Sequence, residues 1–196
     1  PHSTPRFIIA DTMDLWIEIA NDRLHQVLPQ LDLFVLNEGE ARELAGTSNL
    51  VKAGRLLLEK GPRNVVIKLG EFGAMLFSTE CGTENAEYGT EKNGTSSTPP
   101  AALRPPHSSI FRCSAWPLET VADPTGAGDT FLGAIAGYLA AAGPPPYDTA
   151  ALRQAIIQGS MLASFTCEAF STRRLEALDP ADLELRLQAF RQATHW

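Results

Sequence analysis

Two aspartates bracket a turn of small residues in the run Asp123-Pro124-Thr125-Gly126-Ala127-Gly128-Asp129, and a long small-residue helix, Phe131 to Ala142, follows at once. Glycines at a helix start leave backbone N–H groups open to a ligand, and the helix dipole favours negative charge there. An anion held at that end would lie beside Asp129, a carboxylate able to accept a proton. A proton acceptor next to an anion cradle suits phosphoryl transfer, where positioning and charge stabilisation do most of the work. For a bare GxGD, a glycine turn capped by Asp129 is the simpler explanation. Two further segments tip the balance towards chemistry.

The first is Asn37-Glu38-Gly39-Glu40, which directly follows the apolar run Leu33-Phe34-Val35-Leu36. Asparagine at an N-cap with glutamate three residues on has the pattern of a capping box and needs no ligand to explain it. A capped helix start at the C-terminal end of a strand is also where α/β sheets bind ligands. The second is Lys68-Leu69-Gly70-Glu71-Phe72-Gly73, where two glycines flank a tight turn and the lysine can reach an anion. On spacing alone that GxxG is an ordinary hairpin turn.

Residue for residue, Asp123 to Asp129 resembles a variant of the DTGAGD-type signature of the ribokinase-like (PfkB) family of carbohydrate and nucleoside kinases. The resemblance implies that Asp129 is the catalytic base and that the amides of Gly126, Ala127 and Gly128 form the anion hole. It implies ATP as phosphoryl donor, contacted by Lys68, Gly70, Gly73 and Thr125, with Gln158 and Gly159 beside the adenine. Asn37 and Glu40 stand where the family organises Mg²⁺ through water, and Asp123 where a monovalent cation such as K⁺ would bind. Asp11-Thr12-Met13-Asp14-Leu15-Trp16 looks like the family's D-x-N-x-R-x-x-W region, but the arginine is absent and Asp14 stands near where asparagine is usual. Trp16 is read as core. Ala169-Phe170 replaces the Gly-Ala that often completes the family's nucleotide and potassium site.

These residues need a scaffold, and the apolar pattern supplies one. Phe7–Ala10, Leu33–Leu36, Val65–Leu69 and Ala74–Ser78 read as strands. Helical patterns cover Trp16–Leu28, ended by Pro29, then Glu38–Leu44 and Leu50–Lys60. After the Asp123 loop come a helix stopped at Gly143 and three prolines, a second over Ala150–Phe165, and a more polar one over Leu183–Ala193. Met161, Leu162 and Phe165 are read as core. Short apolar runs alternating with helices predict an α/β fold: a Rossmann-like three-layer α/β/α arrangement with a mostly parallel sheet, the ribokinase-like fold. Residues 1–196 read as one nucleotide-binding and catalytic unit. Thr79 to Ser109 breaks the pattern with Thr, Ser, Asn, Gly and Pro, and is expected to be a disordered insertion. Its flanks, Ala74–Ser78 and Ile110–Cys113, are expected to pair as a hairpin. Pro1 leads almost directly into a core strand, so the chain reads as a fragment. The resemblance covers Arg6 to about Leu178 and leaves the family's N-terminal part and β-sheet lid without counterpart.

Composition narrows the function classes. With 23 acidic against 16 basic residues the formal charge is −7, which disfavours nucleic acid and anionic membrane as partners. Cys81, Cys113 and Cys167 are dispersed and odd in number, as are the histidines in position, so neither a disulfide framework nor a zinc site is expected. A cytoplasmic setting follows. There is no GxxxxGK[ST] and no GxGxxG after an early strand, which excludes a P-loop kinase and disfavours a nicotinamide enzyme. The expectation is an ATP-dependent phosphotransferase that moves the γ-phosphate to a hydroxyl of a small carbohydrate, a sugar before a nucleoside. The alternative is a non-catalytic ribokinase-like protein that binds a nucleotide or a partner. The resemblance leaves a homodimer of the full-length protein open, since family dimers often form through the lid, and these residues alone are expected to be weakly active at best.

Overall fold

The computed structural model describes residues 6–79 and 108–194. The expected insertion at 79–109 falls almost wholly outside the described residues, as do Cys81, His2, His107 and His195.

Three apolar runs become parallel strands: β1 (Ile9–Asp11), β2 (Leu33–Asn37) and β3 (Asn64–Lys68). Register joins Ile9 to Leu33 and Asn37 to Lys68. The tight turn at Gly70–Phe72 reverses the chain into β4 (Ala74–Thr79), antiparallel to β3, and β5 (Ser108–Cys113) pairs antiparallel with β4 from Ala74↔Cys113 to Thr79↔Ser108. The sheet order is β1-β2-β3-β4-β5. Only β4 runs against the other four strands. The expected hairpin across the unpatterned stretch is therefore present.

Side-chain alternation along the strands builds two cores, one on each face. Leu33, Val35, Val66 and Leu76 point to one side and pack with Phe131, Ile135, Ile156 and Phe190. Those partners come from α5 (Ala127–Ala142), α6 (Thr149–Thr166) and α8 (Pro180–Thr194). Phe34, Leu36, Val65, Ile67 and Phe77 point the other way and meet Ile17, Ala41, Leu44 and Leu57. These belong to α1 (Asp14–Ile19), α3 (Glu38–Ala45) and α4 (Leu50–Glu59), with α2 (Asn21–Val27) between the first two. Each fully buried Leu, Ile or Phe contributes roughly 1.5–3 kcal/mol, so the sheet holds both helical layers in place. Gly54 sits mid-helix in α4 despite its poor propensity. A Cβ there would lie 2.5 Å from the Phe77 ring.

Three local readings are corrected. The helix expected over Trp16–Leu28 is two helices, broken at Ala20, whose φ is −136°. Asn21 Nδ2 donates to the Ile17 carbonyl at 3.2 Å, the kind of local side-chain bond that competes with helix continuation. Trp16 is not core: it is 49% exposed while its neighbour Ile17 is buried. The strand at Phe7–Ala10 is shorter and only half-buried, because no other described strand pairs with its outer edge. A short α7 (Arg173–Glu176) was not expected.

Candidate active site

The last residues of the three parallel strands are Asp11, Asn37 and Lys68; β2 and β3 end level with each other, and β1 ends two residues earlier, opposite Val35. That edge, beyond the carboxyl ends of parallel strands, is where open α/β sheets bind ligands. Lys68 Nζ donates to Asp11 Oδ2 at 2.6 Å, with both side chains about one-fifth exposed. The same ammonium lies 3.3 Å from the position a Cβ on Gly128 would take. Lys68 thus bridges the sheet edge and the start of α5, and glycine at 128 leaves room for it.

Helix α5 starts at Ala127, earlier than the apolar pattern suggests. Its N-cap, Gly126, has φ +82°, a left-handed conformation that costs glycine little and other residues more. The Ala127 amide also donates to the Pro124 carbonyl at 3.1 Å, and Thr130 N–H closes the first turn on Gly126 at 2.9 Å. Among the described residues no acceptor takes the amides of Gly128 or Asp129. The helix therefore offers open N–H groups beside the Lys68 ammonium, with the Asp129 side chain exposed at the same turn.

The loop ahead of α5 is fastened at several points. Asp123 Oδ1 accepts from Thr125 N–H at 2.9 Å, and that bond holds the Asp123 carboxyl below the usual carboxylate range. Ala122 N–H donates to the Cys167 carbonyl at 2.8 Å, and Thr166 Oγ1 donates to Thr130 Oγ1 at 2.9 Å. Both ties run to the end of α6, so loop and helix are held together.

Asn37 and Glu40 form the reciprocal capping box. Glu40 N–H donates to Asn37 Oδ1 at 2.9 Å, and Asn37 N–H to Glu40 Oε2 at 2.7 Å. Glu40 is 4% exposed. Burial raises its pKa, opposed by the Asn37 N–H and the Lys68 charge. With Asn37 Oδ1 and Glu40 Oε2 engaged in the cap, Glu40 Oε1 is the oxygen left over. Among the described residues no group of three or more His, Cys, Asp or Glu is gathered as a metal centre. This donor set fits a hydrated Mg²⁺ reached through water, and does not fit direct chelation by both side chains.

A cavity of about 820 Å³ opens from this corner. Lys68, Ala127 and Gly128 line its polar end, and it is otherwise walled by the 70–73 turn, the segment from Ala115 to Val121, Phe131 and one face of α6. Lys68 is the one cation among the residues lining it. Gly73, at φ +97°, brings the turn so close to β5 that a Cβ would lie 2.0 Å from the Cys113 carbonyl oxygen.

Of the residues singled out from sequence, Lys68, Gly70, Gly73, Ala127 and Gly128 line this cavity. Thr125, Gly126 and Asp129 adjoin it in the same loop and turn, and Asn37 and Glu40 stand behind Lys68 at the sheet edge. Gln158 and Gly159 do not line this cavity. Gln158 lines a separate shallow groove with Thr130, Gly137 and Tyr138, and Gly159 is packed so that a Cβ would be 3.0 Å from the Phe131 ring. Helical phase is the reason: Ser160, Ala163, Ser164 and Cys167, at i, i+3, i+4 and i+7, face the cavity. Ala163, Ser164 and Cys167 were not anticipated, although two serines four apart in an apolar helix are a visible signal, and Asp11 entered only as the first residue of a partly matching segment. Met161 and Phe165 are buried as read, whereas Leu162 is half-buried in the outer groove.

Comparison with known proteins places this geometry. The family model described as pfkB family carbohydrate kinase matches residues 7–178. Aminoimidazole riboside kinase from Salmonella enterica, solved with aminoimidazole riboside and an ATP analogue, superposes with a TM-score of 0.65 at 20% identity, over 92% of this chain and 52% of that one. A protein assigned as ribokinase II from E. coli, solved with ATP and Mg²⁺, gives a TM-score of 0.61 at 23% identity, covering 91% and 47%. Ribokinase from Thermotoga maritima gives 0.59 at 20% identity, covering 95% and 49%. At these identities the likeness is one of fold, and the chain spans about half the length of these solved kinases. A search of curated protein sequences finds no match.

Proposed function

The chain belongs to the pfkB family of carbohydrate kinases, and on that premise we propose that it is the nucleotide-binding and catalytic unit of an ATP-dependent kinase acting on a hydroxyl of a small sugar or nucleoside. The observation that carries this reading is the convergence at one corner of the Lys68 ammonium, the open amides at the start of α5 and the Asp129 carboxylate. An anion pocket with an adjacent, solvent-facing base is what transfer of a phosphoryl group to an incoming alcohol requires.

In this reading the triphosphate of ATP points to Lys68 and the 126–128 turn, and its base occupies the apolar part of the cavity. The amides at that turn stabilise charge on the phosphoryl oxygens. Asp129 takes the proton of the acceptor hydroxyl as that oxygen attacks in line. Mg²⁺, when bound with the nucleotide, supplies charge neutralisation, and Glu40 Oε1 is the protein oxygen placed to hold one of its waters. Asp123 keeps one carboxylate oxygen outside its bond to Thr125, which makes it the residue to examine for a dependence on K⁺.

The test is transfer of labelled γ-phosphate by the full-length protein to a panel of sugars and nucleosides with Mg²⁺. Transfer to one acceptor supports the kinase. ATP bound but transferred to none supports a non-catalytic nucleotide-binding protein.

A further inference from the structure

The apolar part of the cavity carries one arrangement that the phosphate corner does not explain. Ser164 Oγ lines the cavity and donates to the Met161 carbonyl at 2.6 Å, while Arg186 Nη1 donates to the same Oγ at 2.8 Å. A hydroxyl has one proton and two lone pairs. With the proton given to Met161 and one lone pair taken by Arg186, Ser164 has a single lone pair to offer a ligand.

Arg186 is held firmly in that role. Its Nη2 pairs with Glu168, whose other carboxylate oxygen accepts from Arg174 Nε at 3.1 Å. Its guanidinium lies 3.4 Å from the Phe165 ring centroid and 5.5 Å from that of Trp116, itself part of the cavity wall. The side chain is 14% exposed. Arg186 belongs to α8, beyond the residues 7–178 matched by the family model. Among the described residues Ser160, one turn before Ser164, has only the Cys113 thiol as a partner, at 3.7 Å, and that thiol also lies 3.3 Å from the Ser114 carbonyl oxygen. Its own proton is uncommitted, so it can adapt to donor or acceptor, and discrimination rests with Ser164.

We propose that Arg186 and Ser164 form a base-selecting pair: Arg186 fixes the Ser164 hydroxyl as an acceptor, so that the cavity favours a base presenting an amino group over one presenting a carbonyl. This deepens the kinase reading and rests on it. Adenine carries an exocyclic amine at the position where guanine carries a carbonyl, so ATP is preferred to GTP. Ser164 is the specificity-determining contact, and Arg186 is a positioning residue acting through it.

The experiment is calorimetric titration of this protein with ATP, GTP and purine riboside triphosphate, which lacks the amino group. The expected result is ATP binding about tenfold or more tighter than either competitor, as a lost hydrogen bond to a buried group predicts. In Ser164→Ala the preference for ATP over the analogue disappears, and in Arg186→Met it shrinks as the hydroxyl proton becomes free to turn. The readout is a ratio, and a general loosening of the fold lowers both affinities and leaves it unchanged. If Arg186→Met does not fold, Ser164→Ala decides alone. Full retention of the ATP preference in Ser164→Ala overturns the inference, as does a wild-type protein that binds all three alike. A wild-type protein that binds no nucleotide overturns the kinase reading itself, and this inference with it.

Discussion

Lys68 Nζ stands 2.6 Å from Asp11 Oδ2 and faces Gly128 on its other side. The cation of the cavity is thereby anchored to β1 and presented to the start of α5. Charge-assisted hydrogen bonds are worth about 1.5–3 kcal/mol. Lys68→Met therefore weakens ATP binding by roughly 10–100-fold while adenosine, which has no phosphate, binds as before. Titration of both ligands into wild type and variant checks this, and equal losses for both would contradict it.

Asp11 is predicted to place the ammonium rather than to bind nucleotide. Asp11→Asn removes a negative charge next to the phosphate site, so ATP binding holds or tightens. Turnover falls, because the freed ammonium is no longer fixed against Gly128. The check is a comparison of KM for ATP with kcat in the full-length protein. A raised KM with unchanged kcat would count against the placement.

Gly73→Ala tests the turn that closes the cavity wall. The new Cβ would lie 2.0 Å from the Cys113 carbonyl oxygen at a φ of +97°, so backbone must move. A cost of about 1–3 kcal/mol or more is expected from overpacking and backbone incompatibility together. It appears as a lower urea midpoint, whereas Gly70→Ala, with open space around its Cβ, pays only for its positive φ.

Buried Glu40 makes stability depend on pH. Its folded-state pKa is raised above 4.5 by burial, with the Asn37 N–H and Lys68 acting in opposition. The folded protein therefore binds that proton more tightly than the unfolded chain does. This contribution is full below the ordinary glutamate pKa and is lost as pH rises through the folded-state value. Glutamine can still accept from the Asn37 N–H, as in other capping boxes. Urea denaturation in metal-free buffer is predicted to show Glu40→Gln losing less stability than wild type between acid and neutral pH. Parallel curves for the two proteins would refute it.

Much of this was readable along the chain. Apolar runs of strand length gave β2, β3 and β4, and the β4–β5 hairpin followed from similar flanks on either side of 79–109. The Asp123–Asp129 loop announced itself because its residues are contiguous. What escaped depends on phase or distance. Gln158 and Gly159 follow from motif position alone, whereas a helix turns 100° per residue and Ser160 and Ser164 are the positions that line the cavity. Asp11 and Lys68 are 57 positions apart, and only parallel pairing through β2 puts them side by side. Trp16 is exposed beside buried Ile17 in a short helix that ends at Ala20, a break that no proline or glycine signals.

Asp129→Asn bears most directly on the central claim. The substitution keeps the shape of the turn and removes the proton acceptor. General-base catalysis contributes on the order of 10²–10⁴-fold, so γ-phosphate transfer by the full-length protein is predicted to fall by about that factor while ATP affinity stays within a few-fold. Wild-type turnover in Asp129→Asn would contradict the account.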